Sequence, residues 1–217
     1  DLYNSNPILT YVTIADNTAT DSYSYGGGIY LDGSNPTFIN VTISNNTATY
    51  NGGGMDLMWG SYPTLINSIV WDNNPMSIYI QSGAPLITYS DIQGGWEGEG
   101  EGNIGIDPMF VDSENGDYGL MEGSPCIDTG TLDLDGDGVD DITDFFGSTT
   151  DMGAFEFVGA SIPGDLNGDS IVNVIDIIIV VNLIIDGQPY DSAADLNGDS
   201  IINIIDIIQI LNIILDA

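Results

Sequence analysis

The first ninety residues say nearly the same thing several times over, and repetition this close holds a chain to stacked, near-identical units. Asn6–Ala19 reads NPILTYVTIADNTA and aligns with NPTFINVTISNNTA at Asn35–Ala48. A third copy, YPTLINSIVWDN, runs from Tyr62 to Asn73, and a shorter fourth, APLITYSDI, from Ala84 to Ile92. Gly26-Gly27-Gly28-Ile29-Tyr30-Leu31 recurs as Gly52-Gly53-Gly54-Met55-Asp56-Leu57, with Met76–Ile80 at the matching place in the third copy. The prolines Pro7, Pro36, Pro63 and Pro85 set steps of 29, 27 and 22 residues. Thr, Val, Ile, Asn and Gly dominate and no 3.6-residue stripe appears, so each unit reads as short strands punctuated by Pro, Gly and Asn. Such units are too small to bury their own apolar residues and stack into a solenoid. Asn17, Asn46 and Asn73 each follow a strand, which marks tight corners with left-handed backbone and side-chain amide ladders.

This pattern resembles the right-handed parallel β-helix repeats of secreted bacterial proteins. Gly123–Gly130 (GSPCIDTG) and Asp151–Phe157 (DMGAFEF) resemble the terminal signature of a family of bacterial β-helix surface proteins, a similarity covering residues 6–158. Asp107–Val111 is expected to open a further strand, and residues 93–160 are expected to close the solenoid. Gly94–Gly102 is an acidic glycine loop expected in solvent. Within the closing segment, Asp133–Asp144 offers Asp133, Asp135, Asp137, the Val139 carbonyl, Asp141 and Asp144 as oxygen ligands, with Gly138 at the turn. Five carboxylates so close together repel one another without a cation, so a Ca²⁺ is expected in this loop, with a solvated acidic turn as the alternative.

A second duplication follows. Asp165–Asn173 (DLNGDSIVN) returns thirty residues later as DLNGDSIIN at Asp195–Asn203, and each copy continues through Asp176 or Asp206 into a run of Ile, Leu and Val. Oxygen ligands at positions 1, 3, 5, 9 and 12 of a twelve-residue loop suit a hard cation of Ca²⁺ size. The two copies resemble the duplicated loop-helix segments of a type I dockerin. That resemblance implies Ca²⁺ ligands at Asp165, Asn167, Asp169, the Ile171 carbonyl, Asn173 and Asp176, and at Asp195, Asn197, Asp199, the Ile201 carbonyl, Asn203 and Asp206. Ser170 and Ser200 stand where Gly is usual, and positive φ is costly there. Dockerins meet their cohesin partners near loop positions 10 and 11, here Val174-Ile175 and Ile204-Ile205.

The helices expected over Val174–Ile185 and Ile204–Leu215 are apolar nearly all round, so a partner surface is implied. That surface belongs to the chain's own solenoid, to another copy of the chain or to a cohesin-like receptor, and the second alternative gives a homo-oligomer or fibre.

Charge narrows the function further. The chain carries 33 Asp and Glu and no Lys, Arg or His, where roughly 25 basic residues are expected at this length. Nucleic acid and anionic membrane surfaces are excluded as partners for want of cations. Ser-His and Cys-His catalysis and lyase chemistry with a basic residue fall with them. A carboxylate-only hydrolase remains the enzymatic alternative. No apolar run reaches the ~18 residues of a membrane span. Cys126 is the lone cysteine, expected as a small buried residue.

The expected fold is therefore mostly β. A short right-handed parallel β-helix with its closing segment occupies residues 1–158, a linker 159–164, and a small α-helical dockerin-like module with two EF-hand-like Ca²⁺ loops 165–217. The expected function is non-catalytic: an extracellular, secreted or cell-surface, Ca²⁺-stabilised assembly or attachment protein. Asp1 opens in mid-repeat, as in a trimmed product. The alternative is a glycan-binding or glycan-processing β-helix on a dockerin-type anchor, with Tyr30, Trp59, Tyr62 and Trp71 as the glycan face.

Overall fold

The computed structural model describes all residues except 22–23, 159–162, 168–170, 187–191 and 217, and the side chains of Asp186, Ser192 and Asp216. It divides into two compact units, Asp1–Phe157 and Val158–Ala217.

In the first unit each sequence repeat is one turn of a coil. The first turn comprises β1 (Leu2–Tyr3), β2 (Ile8–Ala15) and β3 (Thr18–Ala19), and the second β4 (Ile29–Asp32), β5 (Thr37–Ser44) and β6 (Thr47–Ala48). The third comprises β7 (Met55–Met58), β8 (Thr64–Ile66) and β9 (Ile69–Trp71), and the fourth β10 (Ile78–Ile80), β11 (Leu86–Thr88) and β12 (Asp91–Ile92). Strands pair only with their counterparts one turn away and always in parallel: β1-β4-β7-β10 form one face. β2 pairs β5, β5 pairs both β8 and β9, and these pair β11 and β12 to form another. The register places Leu9, Phe38, Leu65 and Ile87 in one inward column, and Ile14, Ile43, Val70 and Ile92 in a second. These columns make the core together with Leu31, Met55 and Leu57. Full burial of each such side chain stabilises by about 1.5–3 kcal/mol.

The corners differ in detail from the sequence expectation. The left-handed residues are not Asn17, Asn46 and Asn73 but those just before, Asp16, Asn45 and Asp72, with φ of 58°, 55° and 51°. That turn frees the three asparagines to build the ladder. Asn17 and Asn46 each donate backbone and side-chain N–H groups to the Oδ1 of the next asparagine, at 2.9–3.1 Å. Asn46 Nδ2 also donates to the Ile14 carbonyl and Asn73 Nδ2 to that of Ile43. Corner backbone that no strand can pair is thus satisfied by amides. Serines repeat the device: Ser5 and Ser34 donate backbone N–H to Ser34 Oγ and Ser61 Oγ, and Val41 and Ser68 to Ser68 Oγ and Ser90 Oγ.

Residues beyond the fourth turn only partly close the coil. The acidic glycine loop exposes Glu97, Glu99 and Glu101, as expected, but its backbone lies along β11: Ile87 and Tyr89 donate N–H to the carbonyls of Glu99 and Glu101. Trp96 packs against the core, and Ile104 bridges Asp91. From there the chain runs back along the flank, through an antiparallel hairpin of β13 (Phe110–Asp112) and β14 (Asp117–Leu120). Leu120, Cys126 and Met152 pack on Ile69 as a second core. Two buried asparagines fasten this flank. Asn40 Nδ2 donates to the Asp151 carbonyl, and Asn67 exchanges hydrogen bonds with the backbone of Thr131.

Among its described residues the second unit contains α1 (Val174–Asp186), α2 (Ile204–Asp216) and a 3₁₀ turn at Ser192–Ala194. Val180, Ala194 and Ile210 are its buried centre, flanked by Leu166, Val172, Ile177 and Leu183 and by Leu196, Ile202, Ile207 and Ile214. Pro163 and Gly164 belong to this unit rather than to a free linker, since Gly164 is buried and donates its N–H to the Ala193 carbonyl. The rest of the expected linker, 159–162, lies outside the described residues.

Candidate calcium loops and docking face

Each loop of the second unit is organised by the acid at its end. Asp176 is wholly buried. Its Oδ1 accepts the N–H groups of Leu166 (2.8 Å) and Asn167 (3.3 Å), and its Oδ2 that of Asn173 (2.8 Å). Asp206, equally buried, repeats this with Leu196 (3.1 Å), Asn197 (3.4 Å) and Asn203 (2.9 Å). The last acid thus ties the loop's first turn to the start of its helix. Asn173 and Asn203 accept the N–H of Ile175 and Ile205, both at 2.8 Å, and donate to the carbonyls of Ile171 and Ile201.

The second loop is described throughout. Asp195 accepts N–H groups of Asp199 and Ser200, Asn197 that of Asp199, and Asp199 that of Ile201. Ser200 takes φ 64°, the left-handed value that the turn demands and that costs a non-Gly residue energy. In the first loop Asp165 is buried like its counterpart Asp195, while Asp169 lies outside the described residues. Carboxylates, amide oxygens and a backbone carbonyl gathered on one short loop are the donor set of a hard cation; nitrogen and sulfur ligands are absent from it.

The acidic loop of the first unit is brought together only in part. Carboxylate oxygens of Asp133, Asp135 and Asp141 lie within 4.8 Å of one another. Asp133 accepts the N–H groups of Gly136 (2.7 Å) and Gly138 (2.8 Å), Asp135 that of Asp137 and Asp141 that of Leu134. The Gly138 N–H foremost, with other loop N–H groups, holds the Asp133 carboxyl below the usual carboxylate value. Asp137 and Asp144, the other two acids expected here, are not in this group. Asp137 accepts the N–H of Val139, whose side chain is exposed. Asp141 and Ile142 both donate N–H to the Leu132 carbonyl, and Ile142 is buried. That fold-back carries Asp144 past the loop to a cavity beside Tyr11 and Glu156.

Both helices leave a large apolar face in solvent. Ile171, Val174, Ile175 and Ile178 are half or more exposed, and so are their counterparts thirty residues on, Ile201, Ile204, Ile205 (49%) and Ile208. The sequence singled out only the middle pair of each set. Ile178 and Ile208 follow as well, standing four residues after Val174 and Ile204 and three after Ile175 and Ile205. The four aromatics expected as a glycan face do not form one platform. Trp71 packs on the second core, Tyr30 tilts against Tyr3, and Trp59 and Tyr62 stand in solvent at a corner.

Residues 2–102 match the family model for a right-handed beta helix region, and residues 163–215 that for the type I dockerin domain. The chain carries both. Type I dockerin domains bind calcium and dock on cohesin-type proteins, and proteins that carry them are typically extracellular or at the cell surface. No curated protein and no solved structure matches the chain. Among the described residues no helix is long and apolar enough to cross a membrane.

Proposed function

We propose that the dockerin unit is a Ca²⁺-ordered docking element that tethers a non-catalytic β-helix to a cohesin-type partner outside the cell. The observation that carries this reading is the duplicated exposed face of Ile171, Val174, Ile175 and Ile178 with Ile201, Ile204, Ile205 and Ile208. An apolar patch of this extent on a highly charged chain marks an interaction surface. One Ca²⁺ sits in each loop, held by Asp165, Asn167, Asp169, the Ile171 carbonyl, Asn173 and Asp176, and by Asp195, Asn197, Asp199, the Ile201 carbonyl, Asn203 and Asp206. The metal supplies counter-charge that the chain lacks, because no side chain in it is basic. Loop and helix are joined through Asp176 and Asp206, so ordering the loops sets the start of both exposed faces.

Absence of His, Lys and Arg supports the non-catalytic role. In assembly of the chain with itself into a filament, the dockerin unit of one copy, or its solenoid end, docks on the next copy, because a face that pairs only with itself closes at a dimer. Binding to an isolated cohesin-type domain, with and without chelator, tests the proposal. Calcium-dependent association that fails in an Ile175→Asp/Ile205→Asp double variant is expected. A metal-independent complex, or a variant that binds normally, refutes it. Light scattering of the chain alone at millimolar Ca²⁺ separates the filament from a monomer that waits for its partner.

A further inference from the structure

The flank of the β-helix unit carries a cavity of about 290 Å³ lined by Tyr11, Asp144, Phe145, Phe146 and Glu156. Each wall is fixed by a feature of the fold. Tyr11 occupies the left-handed bend of β2, at φ 53°, and is half exposed. The fold-back that buries Ile142 delivers Asp144-Phe145-Phe146 to the same place. Glu156 is held by three donors: Oε1 accepts from the Thr150 hydroxyl and the Asp151 N–H, and Oε2 from the Phe146 N–H. The result is three aromatic rings and two carboxylates around a space at the small end of the range for ligand pockets.

Its chemistry selects among ligands. An anion meets two carboxylates on a chain of net charge −33. A neutral apolar molecule takes water from both carboxylates and returns nothing to them. Calcium asks for six to eight oxygens, and most of this wall is ring carbon. A cation with an apolar surface satisfies every wall at once: ring faces attract it through their quadrupoles and the carboxylates through charge. Glu156 already accepts three hydrogen bonds, so it offers its charge more than further acceptor capacity. A quaternary ammonium, which donates no N–H, makes no demand on it. Burial first, and then Glu156 and Asp144, push the Tyr11 phenol above its ordinary value, so the ring stays neutral beside the cation.

We propose that this cavity binds a small organic cation of the quaternary ammonium class. Choline is the probe, and 3,3-dimethyl-1-butanol, its neutral counterpart of the same shape, is the control. Both are titrated into the full chain in Ca²⁺ while the ring signals of Tyr11 and Phe146 are followed by NMR. Choline is expected to saturate at millimolar concentration, and the neutral isostere to bind at least about tenfold more weakly. Asp144→Asn, at an exposed position, is expected to weaken choline about threefold, and Phe146→Ala about fivefold or more. Unchanged amide spectra away from the cavity show that each variant is folded. Equal binding of choline and its isostere makes the cavity merely apolar and overturns the proposal. So does the absence of a saturable shift, or the same shift produced by sodium or calcium chloride.

Discussion

The two units bury acids in opposite ways, although neither has a basic residue to offset them. In the β-helix unit Asp56 is wholly buried and neither of its oxygens meets a hydrogen-bond partner. Desolvation pushes its carboxyl up to about 6. Asp91 and Asp151 are also buried and also pushed up to about 6, chiefly by desolvation, though Asp91 accepts from the Cys126 thiol and the Ile106 N–H. In the dockerin unit Asp176 and Asp206 are as deeply buried, yet each is met by three backbone N–H groups. The first unit's buried carboxyls hold a proton more tightly than free ones do, whereas the second unit's are those offered to the proposed Ca²⁺. Acid therefore acts on the two units in opposite directions.

Chelation should break the comparison most visibly. Removing Ca²⁺ is expected to unfold the helices of Val158–Ala217 while the β-sheet signal of Asp1–Phe157 persists in circular dichroism. At free Ca²⁺ a thousandfold above Kd each site contributes about 4 kcal/mol. Loss of both signals together makes metal a support of the solenoid too. Asp206→Asn is expected to lower the Ca²⁺ stoichiometry in calorimetry by one equivalent and to cost a similar amount at that Ca²⁺ level; an unchanged stoichiometry contradicts the ligand assignment.

Asn46→Ala removes the middle of the amide ladder and leaves buried partners unpaired, at about 3 kcal/mol in urea unfolding of the β-helix unit. A smaller effect follows from pH. For a carboxyl raised from 3.8 to about 6 on folding, the folded chain holds the proton more tightly, so its contribution is full below 3.8 and is lost as pH rises through about 6. The β-helix unit is thus expected to be more stable at pH 5 than at pH 7.5, by about 1 kcal/mol or less per group after discounting for partial solvation. Asp56→Asn should flatten that slope; an unaltered slope removes Asp56 from the account. Calcium affinity moves the other way, because the ligands must be deprotonated. The least effect is expected at Asp135→Asn in the exposed loop, within about 0.5 kcal/mol for solenoid unfolding.

How much of this was legible in the chain depends on sequence distance. The steps of 29, 27 and 22 residues are the strand register itself: Ile8, Thr37, Thr64 and Leu86 stand in one row. The amide ladder was visible for the same reason, as was the pairing of loop and helix in the second unit, where every partner lies within ten residues. The flank was not. Asn40 meets Asp151 across 111 residues and Asn67 meets Thr131 across 64, and contacts so remote leave no period to read. Asp144 misled for a related reason. Its spacing fits position 12 of a loop, but the Leu132 carbonyl captures Asp141 and Ile142 and redirects the chain before position 12 is reached.

The asparagine ladder has one further consequence. Each asparagine bonds to its counterpart one turn away and to carbonyls of its own or the neighbouring turn, so the device is indifferent to how many turns the coil contains. A whole turn, 27 or 29 residues long, removed or inserted between equivalent asparagines, restores the ladder bonds across the join. Each turn adds about 4.8 Å of height. The solenoid is in this sense a graduated spacer, whose length can be altered in fixed increments without redesigning its interior.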